Sequence, residues 1–131
     1  MLHKHVRFDT VLPVGGYVES GELPEETVVR EAREETGLEI RIFDSKPEKI
    51  KTKVSRGINH GQGLIAIEPS DGVVQIDFAF FATTNDISVL GAGEISKESF
   101  YWMDKNEVLD SLIIPKDVQA FALRALQKLS S

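Results

Sequence analysis

The sequence has no cysteine, which removes disulfides and thiolate metal centres from consideration and fits a reducing, cytoplasmic setting. No apolar run approaches the roughly 20 residues of a membrane span, and no secretory leader is visible, so neither a membrane partner nor export is expected. Cations are scarce as well: 15 Lys and Arg stand against 21 Asp and Glu, a formal net charge of −6. A nucleic-acid binder presents a basic face, and a stable nucleic-acid partner is therefore not expected. Internal repeats and low-complexity tracts are missing too. What remains is 131 residues with 41% hydrophobic and 27% charged side chains, the profile of one domain over 1–131 with a real core.

The informative stretch is GGYVESGELPEETVVREAREETGL, from Gly15 to Leu38. Pro24 suits a first helical turn and Gly37 the left-handed position after a last turn, which predicts a helix over 24–36. At about 100° per residue, Glu31, Glu34 and Glu35 fall on one face. Val28, Val29 and Ala32 form an apolar stripe offset from them, so the helix can pack while its edge stays acidic. Three neighbouring anions raise each other's pKa unless a cation neutralises them, and a hard divalent metal would do so. Gly15 and Gly16 lie just before, where bare backbone can approach the carboxylates or a ligand. The plainer reading is a solvated helix face, with Glu26 to Arg30 and Arg30 to Glu34 as i, i+4 pairs worth about a few tenths of a kcal/mol. That reading leaves both glycines and Glu22 without a purpose.

Gly16, five residues, Glu22, seven residues, then Arg30-Glu31-Ala32-Arg33-Glu34-Glu35-Thr36-Gly37-Leu38 resembles the complete Nudix box, GX5EX7REUXEEXGU with U a bulky aliphatic. The loose position is Ala32, smaller than usual, which concerns packing more than chemistry. The resemblance implies an α/β fold, an α/β/α sandwich around a mixed sheet. It also implies hydrolysis of the pyrophosphate bond of a nucleoside diphosphate linked to another group, with Mg²⁺, or Mn²⁺, as cofactor. Glu31, Glu34, Glu35 and the Gly15 carbonyl would be metal ligands; Glu34 or Glu31 would assist deprotonation of water. Arg30 and Glu22 would orient the cluster from behind. Nudix domains usually carry a further apolar strand before the segment that Leu2 to Arg7 resembles. The expectation is therefore a truncated or misassigned start, or a gap in the sheet filled by another segment or by a partner chain.

Elsewhere the patterns predict strands at Leu2 to Arg7, Thr10 to Val14, Leu38 to Ile42, Gly63 to Glu68, Val73 to Ala82 and Ser99 to Met103. His3 and His5 should share one strand face, exposed or turned to substrate, with metal ligation the minor alternative. Pro69-Ser70-Asp71-Gly72 should close a hairpin. VVQIDFAFFA reads as a strand covered on both faces, in which Asp77 needs a partner. Phe78, Phe80 and Phe81 suit the core, with base stacking the alternative; Trp102 and Tyr101 divide in the same way. The basic loop 44–61 offers Lys51, Lys53 and Arg56 as substrate-phosphate contacts, against the alternative of a solvated lysine-rich edge. Loop 83–97 contributes Glu94, with Glu98 second, as a further carboxylate of the kind the family brings to its metal or its water; a plain loop glutamate is the alternative. Asp104 to Glu107 has capping-box form, opening a short helix to about Asp110. Pro115 begins a last helix with Val118, Phe121, Ala122, Ala125, Leu126 and Leu129 on one face, for the core or for a homodimer contact.

For the pyrophosphate substrate that the resemblance implies, elementary chemistry also calls for metal, because pyrophosphate is strongly anionic and an attacking hydroxide needs both charge screening and an acidified water. A nucleotide-binding regulator or scaffold with little or no turnover is the competing function. In either case the resemblance implies a nucleoside diphosphate derivative or another small pyrophosphate as the partner.

Overall fold

The computed structural model describes residues 1–130 apart from 6, 8, 45 and 48. The fold is α/β, as the sequence implied. Its strands are β1 (Leu2–Lys4), β2 (Val11–Leu12), β3 (Arg41–Ile42), β4 (Gly63–Ser70), β5 (Val73–Ala79), β6 (Ala82–Thr83) and β7 (Phe100–Tyr101). Its helices are α1 (Pro24–Thr36), α2 (Lys105–Asp110) and α3 (Lys116–Leu129). Among the described residues the strands form three antiparallel sheets, β2-β1-β7, β3-β6 and β4-β5, rather than one continuous mixed sheet. Several expected strands are shorter than their hydrophobic pattern. Leu38 to Ile42 pairs only at Arg41 and Ile42, and Ser99 to Met103 only at Phe100 and Tyr101. The strand Leu2 to Arg7 ends at Lys4, and Val6 lies outside the described residues. No described helix is long and apolar enough to cross a membrane.

Alternation along β1 sends successive side chains to opposite faces and divides the core in two. Leu2 joins Val11, Val108 and Ile114, with Val118, Ala122, Leu123 and Leu126 of α3 packed against them. Burying each such aliphatic contributes about 1.5–3 kcal/mol. His3, paired with Phe100, faces the other way, where Leu38, Leu90 and Phe100 form the second cluster with Val14, Ile40 and Ile95. His3 is thus buried rather than exposed, and burial holds its imidazole below the usual histidine pKa. The capping box is present: Glu107 N–H donates to Asp104 at 2.9 Å and Asp104 N–H to Glu107 at 2.7 Å, and α2 ends at Asp110.

The β4-β5 hairpin corrects a second expectation. Val74 and Ile76 are 60% and 55% exposed, and Leu64 on the paired strand, across from Phe78, is 57% exposed. No described helix covers this face, so an apolar run here did not signal a doubly covered strand. Asp77 does have its partner, the Gln75 amide at 2.7 Å.

Helix α1 has the bounds its caps predict, with Gly37 at φ 81° after the last turn. Its buried residues are Thr27, Ala32 and Thr36 rather than the Val28-Val29-Ala32 stripe. The buried hydroxyls are satisfied, Thr36 by Ala32 O and Leu38 N–H, and Thr27 by Glu22. A helix leaves its last four carbonyls without intrahelical partners, and here all four are met. Gly37 N–H takes Arg33 O at 2.8 Å, Glu94 N–H takes Glu34 O at 2.8 Å, Ile95 N–H takes Glu35 O at 2.9 Å and Gly91 N–H takes Thr36 O at 3.0 Å. Loop 83–97 is therefore bolted to the end of the acidic helix. The approach requires glycine: a Cβ at Gly93 would sit 2.6 Å from the Glu35 carbonyl carbon and 2.7 Å from Thr36 N. Gly93→Ala should lower stability by about 1–3 kcal/mol, read as a lower urea midpoint; an unchanged midpoint would contradict this docking.

Candidate active site

The site is built along one edge of α1 and closed by the loop before it. Arg30 is its hub. The guanidinium holds Glu22 in a two-point contact, Nε to Oε1 at 2.8 Å and Nη2 to Oε2 at 3.1 Å. Nη1 donates to both Glu31 Oε1 at 2.8 Å and Glu34 Oε2 at 2.9 Å, and Nη2 also reaches the Tyr17 carbonyl at 3.2 Å. Arginine suits this task because its rigid fork offers five donors and stays charged. Its hydrogen bonds, first to Glu22 and then to Glu31, push its own pKa up further.

Glu22 is the best-held carboxylate. The Arg30 hydrogen bonds, followed by the Thr27 hydroxyl at 2.6 Å and the Glu19 amide, bring its pKa down to about 2. Glu35 stands in the opposite condition. Its Oε2 accepts the Gly15 N–H at 3.0 Å, yet burial, and then repulsion from Glu31, Glu94 and Glu34, push its pKa up. Gly16 makes the close packing feasible, because a Cβ there would collide with the Glu31 carboxylate.

The structure thus brings together Gly15, Gly16, Glu22, Arg30, Glu31, Glu34, Glu35 and Glu94. Arg30 lies among the carboxylates rather than behind them. Thr27, Glu19 and the Tyr17 carbonyl belong to the same network and were not singled out from sequence; the Thr27 hydroxyl, five residues after Glu22 at the start of a helix, was the available signal. Lys51, Lys53 and Arg56 are not part of the cluster. They are exposed on a small turn closed by the Lys51–Arg56 bridge, without an ion pair among the described residues. The same loop reaches α1 further on, where Asn59 N–H meets Glu25 Oε1 at 3.5 Å, about 9 Å of helix rise from Glu31.

Among the described residues no three acidic or histidine side chains converge closely enough to cage an ion in this arrangement. The reason is visible: Arg30 draws Glu31 and Glu34 to itself, while Glu35 turns to Gly15. The donor set nevertheless fits a hard cation, since it consists of carboxylate oxygens of which one, on Glu35, is crowded by anions and lacks a counter-charge.

The fold is thus α/β, with an acidic helix edge locked to a glycine turn. Residues 3–124 match the NUDIX domain family; the chain belongs to the Nudix family of hydrolases. The crystal structure of a NUDIX-family hydrolase from Clostridium perfringens superposes with a TM-score of 0.78 at 25% identity, covering 98% of this chain and 87% of that one. No curated protein matches the chain.

The two shifted carboxylates have opposite consequences for stability. Glu22, whose folded pKa is depressed, stabilises fully above its ordinary value of 4.5 and loses that contribution as pH falls toward about 2. Glu35, whose folded pKa is raised, destabilises when ionised, and that penalty is relieved as pH falls through the raised value. Glu35→Gln, which keeps an acceptor for Gly15 N–H, should therefore raise Tm by roughly 2–5 °C at pH 7.5 without added metal. A lower Tm in differential scanning fluorimetry would show that Glu35 is not under repulsion.

Proposed function

We propose that this Nudix hydrolase cleaves the pyrophosphate linkage of a nucleoside diphosphate joined to another group, with Mg²⁺ or Mn²⁺ as cofactor. The observation that carries the reading is the imbalance at the helix edge: Arg30 pairs with Glu31 and Glu34, while Glu35, under repulsion from Glu31, Glu94 and Glu34, has no ion pair among the described residues. Glu31, Glu34, Glu35 and the Gly15 carbonyl are the residues that would hold the ion. When bound, a divalent ion neutralises phosphate charge and acidifies water.

The chain's own groups have distinct tasks. Glu22, fixed by Arg30 and Thr27, anchors the guanidinium and so sets where Glu31 and Glu34 point. Water adds to phosphorus as the bridging P–O bond breaks, and its proton passes to a carboxylate, Glu34 or Glu31, with Glu94 the third candidate. Lys51, Lys53 and Arg56 supply exposed cations for a substrate phosphate that extends past the first turn of α1.

A nucleotide-binding regulator without turnover is the alternative, favoured by the hold of Arg30 on two of the carboxylates. Incubation with nucleoside triphosphates, ADP-ribose, nucleotide sugars and dinucleoside polyphosphates plus Mg²⁺, followed by product analysis, separates the two. Glu34→Gln should lower turnover of the best substrate by well over tenfold with an unchanged circular dichroism spectrum. Near-normal turnover would remove Glu34 from the machinery.

A further inference from the structure

Tyr17 directly follows Gly16, so its Cα lies about 3.8 Å from the residue that abuts the Glu31 carboxylate. Its ring is 77% exposed. A single exposed aromatic is ordinary; a restrained one beside an anion-handling centre is not. The Tyr17 carbonyl accepts from Arg30 Nη2 at 3.2 Å, the same guanidinium that holds Glu22, Glu31 and Glu34. At the other end the hydroxyl donates to Gln75 Oε1 at 3.4 Å, and the Gln75 amide donates to Asp77 Oδ1 at 2.7 Å. Asp77, the acid that called for a partner in an apolar strand, thus ends a chain of contacts leading back to the glycine turn. The ring is tethered at backbone and hydroxyl while its body is left in water. Phe81, another candidate for stacking, is committed edge-on to Phe121 in the interior, 6.5 Å between centroids.

We propose that Tyr17 is a nucleobase platform: the planar base of a nucleoside diphosphate stacks on its ring while the diphosphate occupies the carboxylate edge. The inference rests on the hydrolase reading for where the diphosphate lies, and adds which side chain meets the base. Tethering at both ends reduces the ordering cost of binding. Every base offers a π-face, so such a platform selects nucleotides over base-free pyrophosphates without choosing among bases.

Equilibrium binding tests this without turnover. Affinities for ADP, GDP, CDP, UDP and inorganic pyrophosphate are measured calorimetrically with Mg²⁺ for the wild type, Tyr17→Ala and Tyr17→Trp. The wild type should bind its best nucleoside diphosphate more tightly than pyrophosphate. Tyr17→Ala should reduce that ratio about tenfold, and Tyr17→Trp should keep it within about threefold. A wild type with no preference, or a ratio unmoved in the alanine variant, overturns the platform. An equal loss for both ligand types also overturns it, as the sign of a purely structural role. A chain that binds with this ratio yet hydrolyses nothing would contradict the catalytic reading alone, and one that hydrolyses but lacks the ratio would contradict the platform alone.

Discussion

Like charges crowded on one helix edge need a cation, and the residue that supplies it within the chain is Arg30. One guanidinium holds Glu22 at two points, spans to Glu31 and Glu34 through a single nitrogen, and ties the carbonyl of the glycine-turn residue Tyr17 into the same knot. Neutralisation is incomplete, because Glu35 has no contact with Arg30 and carries the repulsion of three neighbouring carboxylates. A site in this condition attracts positive charge. That residual imbalance, more than the number of acidic residues, is what the proposed metal and diphosphate reading of the edge rests on.

The surroundings keep this edge in place. Amides of Gly91, Glu94 and Ile95 take the terminal carbonyls of α1, so the loop that supplies Glu94 cannot move independently of the helix that supplies Glu35. On the other side, Gly16 lets the preceding turn lie directly against Glu31. One support is backbone on backbone and the other backbone on a carboxylate, and both depend on a glycine's missing side chain. Behind them, the two apolar clusters on opposite faces of β1 fix the strands from which these loops depart.

Local features were legible in the sequence and distant ones were not. The bounds of α1 could be read to the residue because Pro24, Gly37 and the 3.6-residue spacing all act within a few turns, and the same holds for the capping box at Asp104. The docking of loop 83–97 was not legible, since its hydrogen bonds join backbone groups more than fifty residues apart; Gly91 and Gly93 were the trace it left. The burial of β5 was misread because an apolar run reports what a strand could pack against rather than what covers it. His3 was misplaced for the converse reason, its burial coming from Phe100 across a ladder that no local pattern reveals.

The central claim is that the edge formed by Glu31, Glu34 and Glu35 binds a divalent cation. Titration of the chain with Mn²⁺, followed by electron paramagnetic resonance of the free ion, measures it directly. Saturable loss of the free-ion signal is predicted, together with its return to the protein-free level when all three glutamates are replaced by glutamine in a variant that still folds. Mn²⁺ that stays free in the presence of the wild-type chain, or that binds the triple variant equally well, would contradict the account.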